Sequence, residues 1–578
     1  MQRRHHSVFW FCCLSTLAAC GSGGSGSSNA ATDTIPPQAG SVRDGLGEDQ
    51  STQTSTTTIQ ANWTGFQDDS GSIAEYQWAI GTTLGGSEVQ GWTSVGTSTQ
   101  GTNGTLALAD GTVCYASVRA YDASNNVSPV ATSNGIEIDN PGGGGGGGGS
   151  PILASSITQW GVTWQFAEPE QVGQFCNGDW WVLGPVEVVA ISPPTQNVSG
   201  RQINGSMVNP TTIALGEHGY DSRLYYPYEG DRYKSYLNVA IGVSASTPLA
   251  LPAGKSLISA ISYLGTSLPP NGSFSQLSTT AVLTVLAAAP AADAFRPAYS
   301  GTDKTVLHRE SDLDYTKLAS LAPAPGAPNL ATIAGGFQRM WLDHMSGWVS
   351  RYLHPIENMP DYGRDFTSLF GTGCLLLQTN YTNAQKRDLL VRMTQIGIDF
   401  WANVQGGGVW EGVGGQGSGR KFPILLAGTM LDYAPMQNIG TTHPSGYFGP
   451  GHVNNRSQFG EDCQTFYVQQ TSSGVYNWGY GAYTSTSSGL PEWGNNHTTW
   501  PTNDNSVWTG DPYRRCCTAN AWVGQTLAAR IMNLRTAWNH SSYFDYMDRF
   551  MQTETVGQWT RSWDTWQAAM WDQYRSTF

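Results

Sequence analysis

Two short motifs in the C-terminal half carry side chains suited to metal or nucleophilic chemistry. Glu461 and Cys463 stand two residues apart, ahead of an aromatic run that reads as a strand, where alternation puts both on one face. Cys516-Cys517 lies where Thr518-Ala519-Asn520 opens a helix, and a helix N-terminus lowers a thiol pKa. One carboxylate and three thiolates complete a tetrahedral zinc shell, so Glu461, Cys463, Cys516 and Cys517 are candidate ligands. A disulfide from Cys463 to Cys516 or Cys517 is the competing expectation, because exported chains favour oxidised cysteines.

Glycosidic cleavage needs one acid to protonate the leaving oxygen and a second carboxylate as base or nucleophile. Glu357, Asp361, Glu411, Glu461 and Glu492, set in Gly/Trp-rich loops, are the candidates. Aromatic faces cover the C–H faces of sugars, which makes Trp410, Trp493 and Trp508 candidate subsite walls, with Arg420 and His497 as polar contacts. The competing expectation is that Trp side chains anchor the core and the acids pair with Arg364, Arg420 or Arg514. The glycine-rich stretch 414–421 opens a helix but lacks P-loop spacing, since no Ser or Thr follows Lys421.

The Glu-x-Cys and the later Cys-Cys pair resemble those of the zinc-dependent β-L-arabinofuranosidases. The resemblance implies an (α/α)-barrel, zinc held by Glu461, Cys463, Cys516 and Cys517, and Cys516 as the nucleophile. It covers those two motifs only; here a β domain precedes the helices, and the interval between the motifs is short.

The elements that must position these residues follow from periodicity. Between 36 and 139, alternating runs at 58–63, 76–80 and 112–121 read as strands of a small β-sandwich. Trp63, the run 109–122 and Asn126-Val127-Ser128 resemble a fibronectin type III module, with Cys114 where that family has its corner Tyr. Eight glycines at 142–149 make residues 140–151 a linker. Runs at 157–160, 162–166, 180–183, 186–191 and 281–286 give a second β-rich domain over 152–295. That domain also contributes Gly219-Tyr220-Asp221-Ser222-Arg223 and the stretch 173–181, the second of which reads as a tight turn at Asn177-Gly178-Asp179 or as a sugar-contacting loop facing the helices. From 296 to 578 the period becomes helical at 337–352, 366–377, 383–404, 423–431 and 523–534, with Thr382 and Gln385 forming a capping box. The fold class is therefore multidomain: an N-terminal sandwich, a second β domain, and a mostly α, toroid-like C-terminal domain.

Residues 1–20 resemble a bacterial lipoprotein signal, with Arg3 and Arg4, a short apolar stretch and Leu17-Ala18-Ala19-Cys20. Cys20 would be acylated and 21–35 would form a tether, so that lipid alone holds an exported chain at the membrane. The full sequence has 578 residues, a formal net charge of −14 and only 12% charged residues, which removes the electrostatic basis for nucleic-acid binding. Its 70 Gly and 22 Trp suit contact with an uncharged glycan. These features together point to a carbohydrate-active enzyme that hydrolyses a polysaccharide or oligosaccharide. The alternatives are a polysaccharide lyase with a Tyr or His base, drawn from Tyr362 with Arg364 and His354, or His497, and a non-catalytic surface glycan-binding or scaffold protein.

Overall fold

The computed structural model describes residues 33–138 and 152–578, apart from 70, 105, 107, 109–111, 212–215, 224–231, 266–273, 346, 411, 413, 445–457, 471–473, 475–484, 495–513 and 555–558. Cys20 and the glycine run at 142–149 lie outside the described residues. The chain divides into two compact units, 1–139 and 140–578.

In the first unit, strands Ser41–Asp44, Ile59–Thr64 and Gln100–Asn103 form one sheet. Val113–Tyr121 and Glu75–Gly81 are central to a second. Alternation sends Ile59, Ala61 and Trp63 inward from the first sheet and Ala116, Val118 and Ala120 from the second, into one core shared with Trp78 and Cys114. Burial pushes the Cys114 thiol up to about 11, so it packs as a small apolar group.

Asp44 is fully buried in this unit. Burial outweighs its Ser133 and Gly135 hydrogen bonds, and with the nearby Asp49 charge raises its carboxyl from 3.8 to about 6. A carboxyl raised on folding binds its proton more tightly in the folded state, so its contribution is full at low pH and is lost as pH rises from 3.8 through about 6. Asp44→Asn is expected to stabilise the unit by about 2 kcal/mol at neutral pH and to have no stabilising effect near pH 3. Calorimetric melts of the full chain at both pH values check this.

The second unit contains an eight-stranded sheet. Its central strands are Lys255–Ser262, Leu277–Leu286, Trp180–Leu183 and Val162–Gln174. Trp180–Leu183 lies parallel to Leu277–Leu286, whereas the other pairings are antiparallel. Leu257 and Leu283 face a core formed with Val162, Trp164 and Val188. Their neighbours Ile258 and Val282 face Met340, Leu342, Met345 and Tyr352 from the helical half. Burial on both faces explains why 277–286 reads as a nearly continuous apolar run.

The helical half packs Gly363–Leu377, Asn383–Gln405, Lys421–Met430, Ala519–Ile531, Ser541–Thr553 and Thr565–Tyr574 around one apolar core. The Thr382–Gln385 capping box is present. Among the described residues no helix is long and apolar enough to cross a membrane.

Two local expectations are corrected. Within 337–352, residues 337–345 are not helical: Trp341 Nε1 donates to the Gly336 carbonyl, Asp343 N–H to the Tyr299 hydroxyl, and Asn403 to the Asp343 carbonyl. Tertiary partners thus take backbone groups that a helix would use. Gly460–Gln464 is helical, and the strand begins only at Thr465, so Glu461 and Cys463 do not share a strand face.

Sheet and helices are joined by a buried ion triad. The Arg296 guanidinium donates to Asp179, in the turn before Trp180–Leu183, and to Asp399 on Asn383–Gln405, each at 2.6 Å. The Asn177-Gly178-Asp179 stretch is therefore both a tight turn, with Gly178 at φ +86°, and the anchor of that ion pair.

Candidate functional site

The glycine-rich loop leading into Lys421–Met430 is the organising element of the helical half. Its residues 414–420 are buried. A Cβ on Gly415 would lie 2.0 Å from the Cys517 carbonyl, and one on Gly363 would lie 2.2 Å from the Gln416 carbonyl. Glycine is thus demanded by close backbone approach, and no phosphate cradle is needed to explain it. Gly415→Ala is expected to cost at least the roughly 1–3 kcal/mol typical of overpacking, measured as a loss in denaturant midpoint.

The two cations that end this loop are both directed inward. Arg420 is fully buried, donates to both Asp343 oxygens, and closes the loop through the Gln416 and Ser418 carbonyls. Lys421 donates to Asp462 at 2.5 Å and to the Trp538 carbonyl at 2.6 Å, while Trp538 Nε1 donates to the second Asp462 oxygen.

Asp343 is the hub of a network that the motifs do not reveal. Besides Arg420, it receives Trp410 Nε1 at 2.9 Å and meets His354 Nε2 at 2.8 Å. Burial alone would raise this carboxyl, but the Arg420 charge and His354 outweigh it and hold it at about 2. Both Asp343 oxygens are engaged, and the other His354 nitrogen faces the Pro360 carbonyl, so these groups brace the loop.

Glu461 differs from these saturated acids. It is fully buried; one oxygen accepts from Gly419 N–H at 2.6 Å and from Gln525 Nε2 at 2.7 Å. Its other oxygen takes no hydrogen bond in this structure. Burial raises its pKa more than the Gln525 and Gly419 hydrogen bonds lower it. The result is a carboxyl biased toward the protonated form, with one buried oxygen that takes no hydrogen bond.

The other candidate acids among the described residues are ion-paired. Glu357 pairs with Arg339 at the surface. Asp361 pairs with Arg351 at 2.6 Å, and buried Glu492 with Arg514 at 3.0 Å and Arg549 at 3.4 Å. Arg364 pairs with Asp365 and donates to the Cys516 carbonyl. Trp410 and Trp493 are buried. Glu411, His497 and Trp508 lie outside the described residues.

Cys516 and Cys517 are joined to each other as a vicinal disulfide, rather than either being joined to Cys463. Among the described residues, the only group of three or more His, Cys, Asp or Glu side chains whose donor atoms lie within 4.8 Å of one another is Asp33, Asp68 and Asp122, in the first unit. Glu461, Cys463, Cys516 and Cys517 therefore do not form a fitting zinc donor set in this oxidised state: two of the three thiolates are consumed by their own bond.

A second polar cluster lies where the sheet domain meets the helical half. The Tyr220 ring lies 6.1 Å from His218 and 6.0 Å from His344, and Tyr299 lies 5.9 Å from His344. All four residues are buried. Neither His344 nitrogen takes a hydrogen bond, and neither does the Tyr220 hydroxyl. Burial lowers His344 to about 4 and raises the Tyr220 phenol, so both are neutral near pH 7. The 219–223 segment thus places Tyr220 against the helical half. His344 and Tyr299 carried no motif; the adjacent Asp343-His344 pair was their only sequence signal.

No protein-family model matches the chain, and no curated protein matches it in sequence. An α-L-rhamnosidase from Dictyoglumus thermophilum matches at TM-score 0.16 and 11% identity, over 24% of this chain and 17% of that one. The FN1-FN3 domains of chicken CNTN1 match at TM-score 0.16 and 11% identity, over 43% of this chain and 66% of that one. This chain spans less than two thirds of either, and likeness this slight fixes neither fold nor activity.

Proposed function

We propose that this chain is an exported, lipid-anchored carbohydrate-active enzyme that hydrolyses glycosidic bonds, with a fibronectin type III-like module ahead of a β domain and a toroid-like helical domain. The observation that carries the reading is Glu461: a buried carboxyl with a raised pKa and an unengaged oxygen suits the acid that protonates a departing glycosidic oxygen. Glu411 is the candidate for the second carboxylate, on the sequence grounds that it adjoins Trp410 in a glycine-rich stretch. The low charge and the excess of Gly and Trp fit a neutral glycan substrate.

Product analysis tests the reaction class. New reducing ends without ultraviolet-absorbing unsaturated sugars support hydrolysis. A panel of neutral and uronate polysaccharides left intact by the full chain sinks it.

β-Elimination is the second reading, favoured by the Tyr220–His344 cluster. The neutral His344 imidazole suits removal of a ring proton, which it keeps, while the Tyr220 hydroxyl gives its own proton to the leaving oxygen. Unsaturated products that vanish in Tyr220→Phe support it.

The zinc reading applies to the reduced protein. Stoichiometric zinc after disulfide reduction, lost in Cys463→Ser, supports ligation by Glu461, Cys463, Cys516 and Cys517, whereas fully titratable thiols without zinc refute it.

A further inference from the structure

Residues 294–309 leave the sheet and return on themselves. Phe295 N–H donates to the His308 carbonyl, and Ala294 bridges Arg309. The loop between is held from beneath. Arg296 reaches Asp179 and Asp399, Ser300 donates to Asn403 at 2.7 Å, and the buried Lys304 ammonium donates to the carbonyls of Ala298, Tyr299 and Ser300. Such a loop is preorganised by buried polar contacts.

Between this loop and the helices Asn383–Gln405 and Ala434–Gln437 lies a cavity of about 380 Å³. Besides the buried Phe295, three partly exposed rings line it: Trp401, Tyr433 and His308, with His308 edge-on to Tyr433 at 4.8 Å. All three are half-buried, so each retains accessible surface. Asp303, Gln405 and Thr305, all exposed, supply carboxylate, amide and hydroxyl groups. Aromatic faces with a few polar groups are what a sugar ring demands, since its C–H faces are apolar and its rim carries hydroxyls.

Charge selects the class of sugar. Arg296 also lines the cavity, but Asp179 and Asp399 occupy its guanidinium. Asp303 is held below the usual carboxylate range by the Thr305 hydroxyl and N–H, so it is ionised at neutral pH. Burial lowers His308, which leaves it uncharged there. A uronate would meet a carboxylate without an available cation, whereas neutral hydroxyls can donate to Asp303.

We propose that this cavity is a second carbohydrate site, separate from Glu461, that binds a neutral glycosyl residue of the polymer and holds the enzyme on its substrate. The proposal rests on the carbohydrate-active reading and adds to it a place and a sugar class. None of the cavity's lining residues contacts Glu461 by hydrogen bond.

The test uses the full chain carrying Glu461→Gln, with arabinan, galactan, xylan, mixed-linkage β-glucan and polygalacturonate as probes in affinity electrophoresis. At least one neutral polymer should retard the protein, and Trp401→Ala or Tyr433→Ala should weaken that retardation roughly tenfold, the size of one lost ring contact. Trp401→Phe keeps a ring and should retain most of the binding; unchanged near-ultraviolet circular dichroism shows that the variants are folded. In the otherwise native chain, Trp401→Ala should raise KM on the polymer and leave cleavage of short oligosaccharides unaltered. Neutral-polymer binding undiminished in both ring variants overturns the cavity proposal and leaves the enzymatic reading intact. Retardation by polygalacturonate that is lost in Trp401→Ala overturns the neutral-sugar assignment. If all five polymers are neither bound nor cleaved, the carbohydrate reading fails, and this site with it.

Discussion

Replacing Glu461 with Gln is expected to lower polysaccharide turnover by roughly 10²–10⁴-fold, the usual contribution of a positioned general acid. The substitution preserves shape. An amide oxygen can still accept from Gly419 N–H and Gln525 Nε2, so the Gly460–Gln464 helix keeps its anchor while the transferable proton is removed. Substrate binding should change little, giving a loss in kcat rather than a rise in KM. The raised pKa also sets a sign. The acid works while protonated, so wild-type kcat should fall as pH rises through the folded-state value, whereas residual Glu461→Gln activity should lack that limb. The same shift means that Glu461 contributes most to folding stability below its unfolded value and loses that contribution as pH rises through its folded value. Full activity in Glu461→Gln would remove the assignment.

The second large effect concerns the Arg296 triad. Arg296→Met leaves Asp179 and Asp399 buried with no cation between them. Breaking a buried pair in this way costs about 3–5 kcal/mol, a large share of a domain's net stability. The sheet should then separate from the helical half at lower denaturant, while the first unit is unaffected. Acid should narrow the deficit, because protonating the stranded carboxyls removes the uncompensated charge. The combined variant Arg296→Met, Asp179→Asn, Asp399→Asn should recover much of the lost stability if charge is the cause. A deficit of equal size in the single and combined variants would instead assign the loss to packing.

Much of the fold is legible in neighbouring residues. The β-branched and aromatic runs at 162–166, 180–183 and 281–286 fall within strands Val162–Gln174, Trp180–Leu183 and Leu277–Leu286, and the helical spacing of 383–404 behind the Thr382–Gln385 box within Asn383–Gln405. Where local pattern and tertiary demand diverge, the latter prevails. Residues 337–352 have helical spacing, yet Tyr299 and Asn403 engage the Asp343 backbone. Strand-like alternation at 461–463 gives way to a short helix whose Glu461 is fixed by Gly419 and Gln525.

The candidate site shows the same division. The chemistry-bearing types, Glu461, the paired cysteines and the glycine-rich loop, are visible as letters because motif and composition are local properties. Their roles are not, because a charged group's protonation and availability depend on partners far away in sequence. Asp343 meets Arg420 across 77 residues, Glu461 meets Gln525 across 64, and Tyr220 lies beside His344. Sequence determined which acids and cations this weakly charged chain has. Only the tertiary structure decided which of them neutralise one another and which are left with an unengaged atom, since burial fixes the cost of charge and packing supplies the partner.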